Sequence, residues 1–197
     1  PDQAAIDLFR VKTFAATASR AAEDWIINTH DHVELIGQDN FRRYLPVDQL
    51  RVRLLGSESC DDVILSVVAA AATGCRATYS FAGQSAAISV LEAISERLMQ
   101  TASQAWRCEW VEESDASLAD EIANGRVDRL RLLTPRKDLS PGLHEACRDA
   151  FVTVVAESVV DDAEIETLRF LNEQSISHDY HRYGNLGRRQ TRKGSSP

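Results

Sequence analysis

From Val47 onward, short apolar segments of the sequence alternate with longer segments in which apolar residues recur at helical spacing. The short segments are typical of β-strands and the longer ones of amphipathic helices. A helix between two strands makes a crossover, and right-handed crossovers place helices on both faces of a mostly parallel sheet. The alternation therefore predicts a doubly wound, mostly parallel, Rossmann-like α/β sheet of five to six strands. The predicted strands are 50–55, 76–81, 106–111, 127–133, 151–156 and 175–180.

Capping residues mark the ends of the predicted helices. Ser59, Ser114 and Ser140 can each begin a helix, and Pro141 suits a first helical position. Gly74 can end the helix that Ser59 begins. The predicted helices are 59–74, 85–99, 114–125, 140–150 and 162–174.

Two of the strands carry a prediction about burial. In 50–55, Arg51 and Arg53 alternate with apolar residues, which indicates a strand with one wetter face. The continuously apolar segment 151–156 is expected to be covered on both faces, as in a parallel sheet.

The residues before Val47 have a different character. The Ala-rich segment 4–27 lacks Gly and Pro and is expected to form one or two helices. Segment 37–46 has turn residues followed by aromatic and basic ones, which favours an irregular connection. We therefore expect a helical arm with its connection at 1–45, an α/β domain at 46–175, a docking tail at 176–187 and a basic flexible end at 188–197.

Net charge, apolar runs and cysteine spacing indicate which partners and which cellular compartment suit the chain. The chain has 22 Lys and Arg against 30 Asp and Glu, and a net charge of −8 does not suit a nucleic-acid partner. No apolar run approaches the roughly 20 residues of a membrane-spanning helix. The four cysteines include no C-x-x-C pair, and Cys108 and Cys147 lie at predicted core positions, so we expect reduced thiols and a cytoplasmic chain. Because numbering begins at Pro1 and the only methionine is Met99, a longer parent polypeptide is expected.

A dinucleotide site is not expected in this sheet. Such a site normally needs a Gly-rich turn after the first strand, whose amides reach the pyrophosphate. Segment 55–61 has Gly56 as its only glycine, and Glu58, Asp61 and Asp62 would repel a phosphate.

The sequence also lacks a clear motif for a metal site or for a catalytic nucleophile. The pairs His30/His32 and His178/His181 lack a third ligand nearby in sequence, and no H-E-x-x-H or G-x-S-x-G motif is present. We therefore predict no catalytic, cofactor-binding or metal-binding residue in the chain.

The segment 173–187 is unusually rich in groups that suit interfaces. It combines two Tyr, two His and an Arg with flanking Gly and Asn. We interpret it as a docking tail, and a strand and loop that close their own domain are the alternative. The predicted docking residues are Ser177, His178, Asp179, Tyr180, His181, Arg182, Tyr183, Gly184 and Asn185.

The same tail carries a family resemblance. The sequence LRFLNEQSIS at 168–177, followed by DYHRYGNLG at 179–187, resembles the C-terminal end of long proline utilization A proteins. GQDN at 37–40, RYLP at 43–46, VEESD at 111–115 and DRLR at 128–131 support it. The similarity runs from about residue 21 to residue 187.

The resemblance implies a bifunctional parent. It would couple an FAD-dependent proline dehydrogenase to an NAD-dependent 1-pyrroline-5-carboxylate (glutamate semialdehyde) dehydrogenase through an internal channel. This chain looks like the family's extra C-terminal domain, which is similar to the Rossmann-like domain of aldehyde dehydrogenases and is regarded as a non-catalytic channel cover. The implied partners are the two dehydrogenase modules of the same polypeptide. The aldehyde dehydrogenase motifs G-Q-x-C and E-L-G-G are absent, so no catalytic residue is carried over.

Two other functions stay open at this stage: an NAD-binding Rossmann module and a free-standing regulatory domain. The tail also has two expected states when its partner is missing. It is either mobile after about Ser177, or it adds a strand to a second copy and forms a homodimer. The homodimer is the expectation.

Overall fold

A computed structural model describes residues 7–29, 31, 34–83, 88, 108–135 and 138–179. Within these ranges, no helix is both long and apolar enough to cross a membrane. The elements in chain order are α1 (Leu8–Ile27), β1 (Gln38–Pro46), β2 (Leu50–Leu54), α2 (Cys60–Thr73), β3 (Ala77–Phe81), β4 (Cys108–Glu112), α3 (Asp115–Ala123), β5 (Arg129–Leu132), α4 (Pro141–Asp149), β6 (Thr153–Ala156), α5 (Ala163–Leu168) and β7 (Leu171–Asp179).

Five of the strands form one parallel sheet in the order β4-β3-β2-β5-β6. Helices α1, α2 and α5 cover one face, where Phe14, Val63 and Val52 share a core. Helices α3 and α4 cover the other face, where Leu118 and Leu143 pack with residues of β5. The chain leaves the sheet centre in both directions from β2, so the predicted doubly wound α/β fold is confirmed.

Local signals correctly located three helix starts. Ser59 accepts a hydrogen bond from the amide of Asp62 at 3.1 Å, and Ser114 accepts one from Ser117 at 3.1 Å. Ser140 precedes Pro141 as predicted, although its hydroxyl makes no capping bond. The two capping bonds explain why α2 and α3 start close to the predicted positions, and Pro141 at the first helical position explains it for α4.

Two predictions around β1 and β7 are wrong. Segment 37–46, expected to be irregular, contains the nine-residue strand β1. The helix expected at 162–174 ends at Leu168, and β7 starts at Leu171. The strand expected at 175–180 belongs to β7, which leaves the main sheet and pairs with β1 in an antiparallel sheet of two strands. The physical reason is that pairing between β1 and β7 satisfies the backbone groups of both segments.

The two burial predictions are also wrong. Arg53 is buried, because ion pairing replaces its hydration. Segment 151–156 contains the edge strand β6, whose four residues are exposed or only partly buried, so it is not covered on both faces. The helix expected at 85–99 lies outside the described residues apart from Ile88, as do residues 180–197.

Candidate docking site

The most distinctive surface feature is the two-stranded ribbon of β1 and β7. Its register runs from Gln38 opposite Asp179 to Pro46 opposite Leu171. Nine residues per strand give the ribbon a length of about 30 Å. Except for Leu171, every residue of β7 is exposed.

One face of the ribbon packs on the body of the protein. Tyr44 is buried there, with its ring 5.0 Å from that of Trp25 on α1 in an edge-to-face arrangement. Its hydroxyl donates to the carboxylate of Glu173 on the opposite strand at 3.0 Å. Burial raises the pKa of Tyr44, and the Glu173 carboxylate raises it further. This face therefore holds the ribbon against α1.

The opposite face of the ribbon carries three exposed apolar side chains among polar ones. Successive strand residues alternate between faces, so Phe41 and Leu45 share the face that excludes Tyr44. Ile176 lies directly opposite Phe41 and joins them. Their exposed fractions are 36% for Phe41, 42% for Leu45 and 41% for Ile176. These three residues, called here the ribbon's apolar face, flank the hydrogen-bonded pair of Arg43 and Gln174. Such a group of exposed apolar side chains suits contact with another protein module.

The root of the ribbon is fixed by a side chain from the central sheet. The Arg129 guanidinium on β5 donates to the carbonyls of Arg169 at 2.7 Å and Leu171 at 2.9 Å, and to the side-chain oxygen of Asn172 at 2.7 Å. Burial lowers the pKa of Arg129. On the other strand, the amide of Val47 donates to the carbonyl of Phe170 at 3.0 Å. Both strands therefore leave the domain from a hydrogen-bonded base.

Three of the predicted docking residues lie at the outer end of β7. Ser177 faces Asn40, and its hydroxyl donates to the Asn40 side-chain oxygen at 2.8 Å. His178 and Asp179 pair with the first residues of β1. The remaining predicted docking residues, 180–185, lie outside the described part of the chain. Sequence reasoning missed Phe41 and Leu45, because nothing local indicates that 38–46 pairs with a strand so far along the chain.

The turn after β2, where a Rossmann-type domain would hold a phosphate, is closed by its own side chain. The Glu58 carboxylate accepts from the amide of Leu55 at 2.7 Å through one oxygen and from the amide of Gly56 at 2.8 Å through the other. Gly56 has φ of 85°, the left-handed region that a tight turn here requires. A carboxylate thus occupies the donors that an incoming anion would need.

More negative charge surrounds the start of α2. Asp61 and Asp62 occupy its first turn. Arg10 of α1 lies 3.2 Å from Asp62 and 3.8 Å from Asp61, and its third partner is Asp161 at 2.7 Å. This cation is engaged by carboxylates, which leaves the helix start unsuited to a phosphate.

Buried arginines close the carboxyl edge of the sheet elsewhere. Arg53 donates to the Ser80 hydroxyl at 3.1 Å, to the Glu113 carbonyl at 2.9 Å and to the Asp115 carboxylate at 2.6 Å. Arg131 on β5 donates to the Glu166 carboxylate at 3.0 Å, and both side chains have an exposed fraction of 0%. Burial lowers the pKa of Arg131, although Glu166 opposes that effect. The guanidiniums are thus bound to groups of the domain itself.

Two buried cysteines and the search for metal ligands bear on the chemistry of the described residues. Burial raises the pKa of the Cys75 and Cys108 thiols to about 12, so both stay protonated at neutral pH. No group of three His, Cys, Asp or Glu side chains among the described residues could hold a metal ion.

No protein-family model and no curated protein sequence matches the chain, but solved structures do. Proline Utilization A from Corynebacterium freiburgense matches with a TM-score of 0.50 and 20% identity, over 89% of this chain and 14% of that one. The same protein from Bdellovibrio bacteriovorus, inactivated by N-propargylglycine, matches with a TM-score of 0.52 and 11% identity, over 76% and 16%.

An NAD-dependent aldehyde dehydrogenase from Sinorhizobium meliloti matches with a TM-score of 0.54 and 14% identity, over 75% of this chain and 29% of that one. At such identities the likeness shows a common fold. The chain spans less than a third of the length of each of these three structures. It therefore has the fold of one domain that occurs in proline utilization A and aldehyde dehydrogenase structures.

Proposed function

We propose that this chain is a non-catalytic domain that covers the channel and supports the dehydrogenase of a bifunctional proline-oxidising enzyme. The observation that carries the proposal is a contrast between two parts of the surface. The carboxyl edge of the sheet is closed by Glu58 and by internal ion pairs, whereas the ribbon exposes an apolar face. A closed edge suits a domain without its own cofactor, and exposed apolar side chains on a ribbon suit one that docks.

The geometry of the ribbon supports a covering role. Arg129 fixes its root and Tyr44 fixes one face against α1, so about 30 Å of ribbon is held in one direction. A ribbon held in this way can lie across a neighbouring module without first becoming ordered. Less conformational entropy is therefore lost when it docks. In this proposal, FAD and NAD bind to the catalytic modules of the parent polypeptide, and those modules are the partners.

The proposal is tested by kinetics on the longer polypeptide. Phe41→Ser with Ile176→Ser removes most of the ribbon's apolar face, while Ser175→Ala changes an exposed residue of the other face. We expect the double variant, and a deletion of 176–187, to lower aldehyde dehydrogenase activity or proline-to-glutamate coupling and to spare proline oxidation. Ser175→Ala should leave both activities unchanged. Unaltered coupled kinetics in the double variant and in the deletion would contradict the proposal.

The alternative is an NAD-binding module, favoured by the doubly wound sheet and its likeness to an NAD-dependent aldehyde dehydrogenase. Binding would require Glu58 to leave the amides of Leu55 and Gly56. Millimolar NAD that gives neither heat in calorimetry nor a rise in melting temperature would exclude this function. A rise in melting temperature with NAD would favour it over the covering role.

A further inference from the structure

Phe151 combines two unfavourable features at one position. Its side chain is 95% exposed, and its backbone has φ of 56° in the left-handed region. Residues with a Cβ rarely adopt this conformation, so the exposed aromatic side chain is kept here at a cost in backbone strain.

The position normally belongs to glycine, as two other helices of this domain show. Helices α2, α3 and α4 each end in a Schellman motif with a left-handed residue after the last turn. That residue is Gly74 after α2 and Gly125 after α3. After α4 it is Phe151, whose amide donates to the carbonyl of Arg148 at 3.3 Å while Val152 donates to Cys147 at 2.8 Å. Among these three helices, only α4 has an aromatic residue at the left-handed position.

Among the described strands, the one that follows Phe151 has a partner on one side only. Strand β6 pairs with β5 on one side and is the last strand of the sheet. The segment 151–156 contains no charged residue. The opposite edge strand, β4, carries Glu109 and Glu112, the kind of charge that discourages strand addition. One edge is therefore protected by charge and the other is not.

We propose that the β6 edge, with Phe151 as its anchor, is an interface for a second copy of this chain. The segment is self-complementary in an antiparallel pairing across a two-fold axis. Such a pairing centred on Val154 places Val154 opposite Val154 of the second copy and Thr153 opposite its Val155. No like charges meet on these strands. Phe151 then lies beside the chain that follows Ala156 in the other copy. This interface is independent of the proposed covering function.

Strand length and net charge predict how strong the dimer is and how its association depends on salt. Strands of four residues bury less than the roughly 1,000 Å² that marks stable interfaces, so the dimer is weak. Each copy has a net charge of −8, and salt screens the repulsion between copies. Association through this neutral edge therefore strengthens as salt is added. Association through the basic residues of 182–193 would weaken instead.

Sedimentation velocity on the 197-residue chain tests the interface, over about 10 µM to about 1 mM and at low and high salt. Phe151→Gly removes the anchor and suits the left-handed position, so its melting temperature should not fall. Thr153→Lys adds a charge at an exposed edge residue. Each should lower the association constant at least about tenfold. Phe9→Ala, which removes another exposed phenylalanine, should leave it unchanged.

Concentration-dependent association that rises with salt and falls in both edge variants supports the proposal. A monomer at every concentration would overturn it. So would association that both edge variants retain, or that disappears only when residues 180–197 are deleted. The last result would assign the dimer to the tail.

Discussion

Replacing Glu166 should have the largest effect on stability of any single ion-pair change in the described residues. Its carboxylate accepts from Arg131 at 3.0 Å, from Arg169 at 2.6 Å and from the amide of Val160 at 3.2 Å. Arg131 and Glu166 both have an exposed fraction of 0%. Glu166→Leu would leave a buried guanidinium without its counterion and an amide without its acceptor.

The expected loss follows from that geometry. Removing one partner of a buried ion pair typically costs about 3–5 kcal/mol, because the remaining charge stays in a medium that solvates it poorly. The carbonyls of Val155 and Glu157 also accept from Arg131, and Arg169 retains Glu157. These bonds reduce the penalty, so we expect a loss of about 3 kcal/mol in the free energy of unfolding for Glu166→Leu.

Urea denaturation followed by circular dichroism measures this loss. The double variant Arg131→Met with Glu166→Leu removes both charges and should recover most of the stability, since apolar replacement of a buried pair is often neutral. Glu145→Ala breaks the exposed pair with Arg148 and should give no measurable change. A loss below about 1 kcal/mol in Glu166→Leu, or a double variant no more stable than the single one, would refute the assignment of a buried network.

Three further changes test other parts of the structure. Glu58→Ala should lower the free energy of unfolding by about 1–3 kcal/mol in the same assay, since two amides lose a charged acceptor; no loss would contradict the closed turn. Cys75 and Cys108 have pKa values raised to about 12 from an ordinary 9.0, so the unfolded chain loses these protons first. Stability should therefore be full below about pH 9 and fall between about pH 9 and 12, by up to about 1.4 kcal/mol per pH unit for each thiol, and Cys75→Ala should flatten that fall. Arg129→Met should speed amide hydrogen exchange at the start of β7 more than in β3, because Arg129 holds the carbonyls of Arg169 and Leu171. An equal increase in both strands would show that Arg129 does not hold β7 in place.

The parallel sheet could be predicted because its signals are local. Ser59 and Gly74 terminate α2 through hydrogen bonds to residues within a few positions. The apolar stripe between them faces the sheet by helical periodicity alone. The fold class therefore follows from patterns that each extend over a single element.

The ribbon could not be predicted in the same way. Neither strand is buried on a complete face, so β1 lacks the alternation of a half-buried strand. Its partner β7 lies more than a hundred residues further along. In 162–174, Ile165, Leu168 and Leu171 fit a helical stripe, yet the carbonyl of Leu171 binds Arg129 from a distant strand. In both segments, contacts with distant parts of the chain determine the secondary structure.

Composition drew attention to only one strand of the candidate site. It pointed to the segment that contains Ser177, but the apolar residues beside it on the ribbon include Phe41, which comes from β1. Arg53 and Arg131 alternate with apolar residues as solvent-facing residues do. Their burial depends on Asp115 and Glu166, which only the folded chain brings near them. The docking role of 177–185 stays a prediction.

Docking of the ribbon's apolar face on a dehydrogenase module is tested most directly by amide hydrogen exchange. A two-stranded ribbon leaves one edge of each strand open to water, so its amides should exchange quickly in the isolated 197-residue chain. In the longer polypeptide, peptides covering 38–46 and 171–179 should be protected, and Phe41→Ser with Ile176→Ser should abolish that protection. Equal exchange of these peptides in the isolated chain and in the longer polypeptide would contradict the docking of the ribbon.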